Sequence, residues 1–131
     1  MSFSDYWEVE ILDHLFMKGA YGPLANLYIG LSTADPLDDW SGIAEPVGGS
    51  YARVSTAGAD YNAAAAGSID NANAITFVAS TGAWGLCGWV CIFDALVAGN
   101  GLASGALTLA KNVNNGDTAR FAAGNLTCTL D

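Results

Sequence analysis

The chain has 131 residues, of which 52% are hydrophobic and only 13% charged, against the roughly one quarter charged that covers the surface of a typical soluble domain. Thirteen acids against four Lys and Arg give a net charge of −9, which repels nucleic-acid phosphates and anionic membranes and argues against both as partners. One core and one domain, residues 1–131, are expected at this length, with much of the surface given over to contacts with other proteins.

The start, MSFSDYW, has neither a basic stretch nor an uninterrupted apolar run, so no signal peptide is read and synthesis in a cytoplasm is expected. Residues 4–18 form the one convincing helix. Trp7, Ile11 and Leu15 recur at i, i+4 and i+8, Leu12 and Phe16 widen the stripe, and Asp5, Glu8 and Asp13 occupy much of the other side. Trp7, Ile11 and Leu15 are therefore the candidate packing or interface residues of the helix. Ser2 or Ser4 can cap its start, and Gly19 suits the position after its end. His14, on this helix, is the only histidine, so a Ser-His-Asp or Cys-His arrangement would have to use it. It reads instead as a half-exposed packing or hydrogen-bonding residue.

A Gly-Pro turn leads to a strand over 26–32, with Leu27, Ile29 and Leu31 on one face and Tyr28 on the other. Residues 33–50 are a long acidic loop with Pro36, Pro46 and several glycines, of the kind that is functional or disordered. Its DPLDDW segment lacks the D-x-D-x-D-G spacing of a calcium loop, and no metal site is assigned. Trp40, Asp38, Asp39 and the following Tyr51 are the candidate interface or ligand residues of this loop, with local anchoring of Trp40 as the plainer alternative. Strands follow at 51–56 and 74–79, separated by an irregular alanine- and asparagine-rich stretch over 57–73. AAAA at 63–66 is too short to nucleate a helix unaided.

The longest apolar run, AWGLCGWVCIFD at 83–94, is apolar on both faces of a period-2 strand and reads as the buried central strand. It is too short to span a membrane as a helix. Cys87 and Cys91 fall on one face of it, about 13 Å apart at ~3.3 Å per residue. That is too far for a disulfide, so both are read as buried free thiols. A turn at 99–101 precedes strands over 102–109 and 110–113. NNGD at 114–117 turns into 118–122, and a last strand over 125–130 sets Leu126, Cys128 and Leu130 on one face. One leading helix and seven or eight short strands predict a mainly β fold, an antiparallel β-sandwich or jelly-roll-like domain with one N-terminal α-helix. No nucleotide-binding loop, H-E-x-x-H or G-x-S-x-G is present, so no enzyme, catalytic residue or cofactor is expected.

Taken together, L-Y-I-G-L-S-T-x-x-P, G-G-S-Y-A-R and N-x-G-D-T, in this order along nearly the whole chain, resemble a family of small bacteriophage virion structural proteins commonly labelled tail-fibre-like. The resemblance implies a particle component without a cofactor, made in the bacterial host cytoplasm and placed on the exterior as a tail-fibre or capsid-decoration protein. Its partners would be copies of itself, in a trimer or other closed ring, and other virion proteins. A different class of function stays open, a module that binds host-surface carbohydrate through Trp40, Tyr51, Asp38, Asp39 and Asn62.

Overall fold

A computed structural model describes residues 1–19 and 21–130. The apolar central run folds as a strand at Gly85–Phe93, paired on one side with Leu27–Ser32 and on the other with the longest strand, Gly101–Val113. Numbered along the chain, the strands are β1 (Ser2–Phe3), β2 (Leu27–Ser32), β3 (Val54–Thr56), β4 (Ser68–Asp70), β5 (Ile75–Thr76), β6 (Gly85–Phe93), β7 (Gly101–Val113), β8 (Arg120–Phe121) and β9 (Thr127–Thr129). One antiparallel sheet runs β1-β7-β6-β2-β3, with β6 at its centre. Two antiparallel ribbons, β4-β9 and β5-β8, form a second layer. The fold is mainly β with antiparallel sheets and one helix, α1 (Asp5–Leu15), as the pattern of short strands predicts.

The core lies between the two layers. Ile29 and Leu31 of β2, Cys87 and Val90 of β6 and Val113 of β7 meet Ile75, Phe77, Trp84 and Leu126 from the covering layer. Phe77 packs its ring against Tyr51, Trp84 and Phe121 in stacked, edge-on and tilted arrangements respectively, which adds to plain area burial. The turn chemistry around this core is specific. Gly49 takes a left-handed φ of 56° and would place a Cβ 2.7 Å from the Gly82 carbonyl, so that position requires glycine. Its own carbonyl accepts from Trp84 Nε1 at 2.8 Å, which satisfies the one polar atom of a buried indole.

Several elements differ from the sequence expectation. The helix ends at Leu15 rather than 18 because Met17, not Gly19, takes the left-handed conformation (φ 59°). Lys18 and Gly19 then donate back to Asp13 O. The strands expected at 74–79, 118–122 and 125–130 shorten to two or three residues, because each pairs with only a brief partner, and that at 51–56 shortens to three because its pairing with β2 stops at Ile29 and Val54, where the Tyr51 hydroxyl takes Leu31 N instead. β4 lies inside the stretch read as irregular. The two segments 102–109 and 110–113 are one strand, β7, whose register against β6 slips between Cys87 and Trp89. That slip reverses the expected placement of the thiols: Cys87 joins the core with Val90, while Cys91 lies on the opposite face beside Glu45 and Arg53.

The Phe77 ring is 2% exposed and touches three other aromatic rings. Phe77→Ala should therefore cost about 3–5 kcal/mol, read as a lower urea midpoint with an unchanged slope.

Candidate functional site

The acidic loop is an ordered cover over the rear face of the sheet, and Arg53 holds it there. Its Nε and Nη2 donate to both oxygens of Glu45 at 3.0 and 2.6 Å. Nη1 donates to the carbonyls of Ala95 and Ala98, both at 2.7 Å, in the β6–β7 hairpin. The guanidinium lies 3.3 Å above the Phe93 ring. Its side chain is 9% exposed and that of Glu45 23%, so the pair is largely removed from water and depends on this full set of bonds. Gly30 leaves the room: a Cβ there would sit 2.9 Å from Phe93 Cε2 and 3.0 Å from both Glu45 Oε1 and the Tyr51 hydroxyl.

The four loop candidates are thereby placed. Tyr51 is half-buried, and its hydroxyl accepts from Leu31 N at 2.8 Å and donates to Glu45 Oε1 at 2.8 Å. It serves the edge of β2 just where pairing with β3 stops at Ile29 and Val54. Trp40 packs edge-on against Phe93, with ring centroids 5.0 Å apart, and fills the space a side chain at Gly101 would need. Asp39 accepts from Ser41 N and Oγ at 3.0 and 2.7 Å, bonds that hold its carboxyl pKa below the usual range. Asp38 accepts from Ser2 Oγ at 3.2 Å. Asn62 lies elsewhere, donating to Asp70 at 3.0 Å. The structure does not gather these residues into one site.

The helix residues Trp7, Ile11 and Leu15 do share a site. Ser4 fixes the base of α1: its hydroxyl accepts from Trp7 N at 3.2 Å and donates to Gly101 O at 2.6 Å, and its N–H donates to Leu102 O at 2.9 Å. Beyond that base the helix stands off the body and buries none of its residues. Ile11 stays 36% exposed and Leu15 68%, so the stripe expected to pack against the domain instead walls an open trough. This space, about 690 Å³, is closed opposite by Leu24, Leu27 and Tyr61. It continues through Trp7 and Leu27 into a second hollow of about 340 Å³, lined by Ile92, Ala103, Ile69 and Leu130. Ile92 pairs with Ile29 on β2 and with Ala103 on β7, so this second hollow lies between the main sheet and the β4-β9 ribbon.

Tyr21, Leu24 and Tyr61 were not singled out in the sequence, because two of them lie around a Gly-Pro turn and one beside an alanine run. Leu130 did carry a signal, as an apolar residue on the outer end of the last strand. Among the described residues no cluster of three or more His, Cys, Asp or Glu side chains is placed to hold a metal ion.

The fold and the trough define a mainly β chain with an uncovered apolar surface beside its one helix, and comparison with known families gives the class, a bacteriophage fibre-type protein. The family model described as podophage GP4 fiber I protein gp80 matches residues 2–129, and the chain belongs to that family. No curated protein matches it.

Replacing Arg53 with Met leaves Glu45 without its partner and should cost about 3 kcal/mol. Arg53→Lys should recover only part of this, since an ammonium cannot span the carboxylate fork and both carbonyls; denaturant titration checks the order. Cys91 supplies a pH test. Burial, then the charge of Glu45, pushes its thiol pKa up to about 12, whereas the unfolded value is about 8.5. A raised folded value means its contribution is fully present below the unfolded pKa and is lost as pH rises toward about 12. Tyr51, raised chiefly by burial, acts in the same direction. The urea midpoint should fall between about pH 9 and 11, with a shallower fall in Cys91→Ala.

Proposed function

We propose that this protein is a non-enzymatic component of the exterior of a phage particle, fibre-like, and assembled from copies of itself in a closed ring such as a trimer. Family membership supports the virion role. The observation that carries self-association is α1, which is apolar on two sides. At about 100° per residue, Val9, Leu12 and Phe16 fall away from Trp7 and Ile11, and all three are exposed, Phe16 at 64%. A contiguous apolar ridge of this kind marks an interaction surface. A contact between that ridge and a different, uncharged surface of the next copy is heterologous and closes into a ring when the rotation permits.

A host-glycan role draws less support from the geometry, because the Trp40 and Tyr51 rings are engaged with Phe93, Phe77 and Trp84.

Mass spectrometry of purified particles should find the protein in fixed stoichiometry, and its absence would remove the proposal. Sedimentation equilibrium should show a discrete oligomer that Leu12→Glu combined with Phe16→Glu dissociates at least about tenfold more readily, with an unchanged circular-dichroism spectrum. A wild-type monomer at every concentration would rule out self-association.

A further inference from the structure

α1 holds four of the thirteen acids, Asp5, Glu8, Glu10 and Asp13, and no Lys or Arg. At about 100° per residue, Asp5 and Asp13 fall about 40° to either side of Val9, so these two exposed carboxylates border the apolar ridge. Glu10 and His14 turn toward the trough instead, and Lys18 follows the end of the helix. The remaining positive charge is gathered elsewhere. Of the four Lys and Arg side chains, Arg53 is committed to Glu45, whereas Lys111 of β7 and Arg120 of β8 share one pocket of about 360 Å³. Leu107 and Phe121 pack on the core and give that pocket an apolar floor, and the two cations stand exposed at its mouth. Asp117 lines it as well. Its carboxylate accepts from Asn114 N at 2.8 Å, and among the described residues no ion pair joins it to either cation.

The two surfaces lie at opposite ends of β7. Ser4 ties the base of α1 to Gly101 and Leu102, and Lys111 lies about 20 Å along the sheet from Gly101, because their partners Cys87 and Phe93 are six residues apart on β6 at ~3.3 Å each. The ridge also points away from its own body, so the surface that receives it belongs to another molecule. We infer that the outer side of α1 on one copy seats in the Lys111 and Arg120 pocket of the next. Val9 and Leu12 meet the floor of Leu107 and Phe121, which is the uncharged surface the ridge requires, and Asp5 and Asp13 meet the cations at its mouth. The inference rests on the self-association proposed above and names the receiving surface. Charge selects this pairing over its alternatives. Ridge on ridge sets Asp5 and Asp13 against the same acids of the partner, and pocket on pocket sets cations against cations, so the contact is head-to-tail.

Sedimentation equilibrium of the intact protein tests the pairing by charge reversal. Lys111→Glu combined with Arg120→Glu should dissociate the oligomer at least about tenfold more readily, and Asp5→Lys combined with Asp13→Lys should do the same. All four side chains are exposed, so the circular-dichroism spectrum should not change. Mixed together, the two variants should associate again, because the acidic helix of one meets the intact pocket of the other and the reversed helix meets the reversed pocket. Lys111→Gln combined with Arg120→Gln should weaken association less, and this milder pair decides the matter if the reversed pocket does not fold. Association that ignores both pocket variants overturns the inference and leaves the two cations to an acidic segment of another virion protein. Loss in both reversed variants without recovery on mixing overturns it too, since the helix and the pocket then act separately. A wild-type monomer removes the self-association reading together with this inference. A wild-type oligomer that Leu12→Glu with Phe16→Glu dissociates, and that the pocket variants leave intact, removes only the pocket assignment.

Discussion

The guanidinium of Arg53 is the contact on which the arrangement of the rear face depends. It joins the long loop, through Glu45, to the carbonyls of Ala95 and Ala98 at the tip of the β6–β7 hairpin. Taking both charges out of water is costly, and the pair holds only because each donor finds an acceptor and Phe93 supplies a ring beneath it. The side chains around Glu45 and Phe93 pack against this contact, while Ser32 and Thr33 tie the loop to β2 at Ala44. Tyr51 reaches the free edge of β2 because its hydroxyl is shared with Glu45, and Trp40 can close over Gly101 because Phe93 is held in place. Among the described residues no buried side-chain nitrogen or oxygen lacks a partner, so the apolar composition of the chain is matched by a small, fully used polar set.

The segments that carry the family resemblance meet in this framework. Gly30 of L-Y-I-G-L-S makes room for the Glu45 carboxylate, and Ser32 of the same segment donates to Ala34 O and accepts from Ala44 N. Gly49, Tyr51 and Arg53 of G-G-S-Y-A-R turn the chain, serve the sheet edge and clamp the hairpin. In N-x-G-D-T, Asp117 accepts from Asn114 N at 2.8 Å, and the Asn114 carbonyl receives the Ser80 hydroxyl. What identifies the family in sequence is thus largely what holds the fold together, which is why the resemblance says more about architecture than about a binding site.

The central strand was legible because both of its faces are apolar, and the helix because its start carries a serine cap and its apolar residues recur at helical spacing. The ribbons were harder to read. Strands of two or three residues leave no alternation to detect, and β4 sits among alanines and asparagines with only Ile69 as an apolar mark. The side assigned to Cys91 failed for a different reason: a register slip at Gly88 shifts one face relative to the other, and period-2 counting cannot see it. Trp7, Ile11 and Leu15 were grouped on one side of α1, and all three line the trough. Periodicity reports which side of a helix is apolar, however, and not whether the same chain covers it. The loop candidates Trp40 and Tyr51 were visible as aromatics, while their inward commitments depend on Phe93 and Glu45, which become neighbours only through the tertiary fold.

One consequence follows from the unequal lengths of β1 and β7. β1 covers only Ser104 and Ala103 of a thirteen-residue strand, and Ser4 N adds one bond to Leu102 O, so the outer edge of β7 from Gly105 onward has no backbone partner among the described residues. A long bare edge is a template on which further chains can stack into fibrils. Here the strand carries a register break halfway along and Lys111 past it, two devices that spoil a flat template. Protection of this kind keeps strand pairing between copies from competing with the contacts a fibre-family protein makes in its particle.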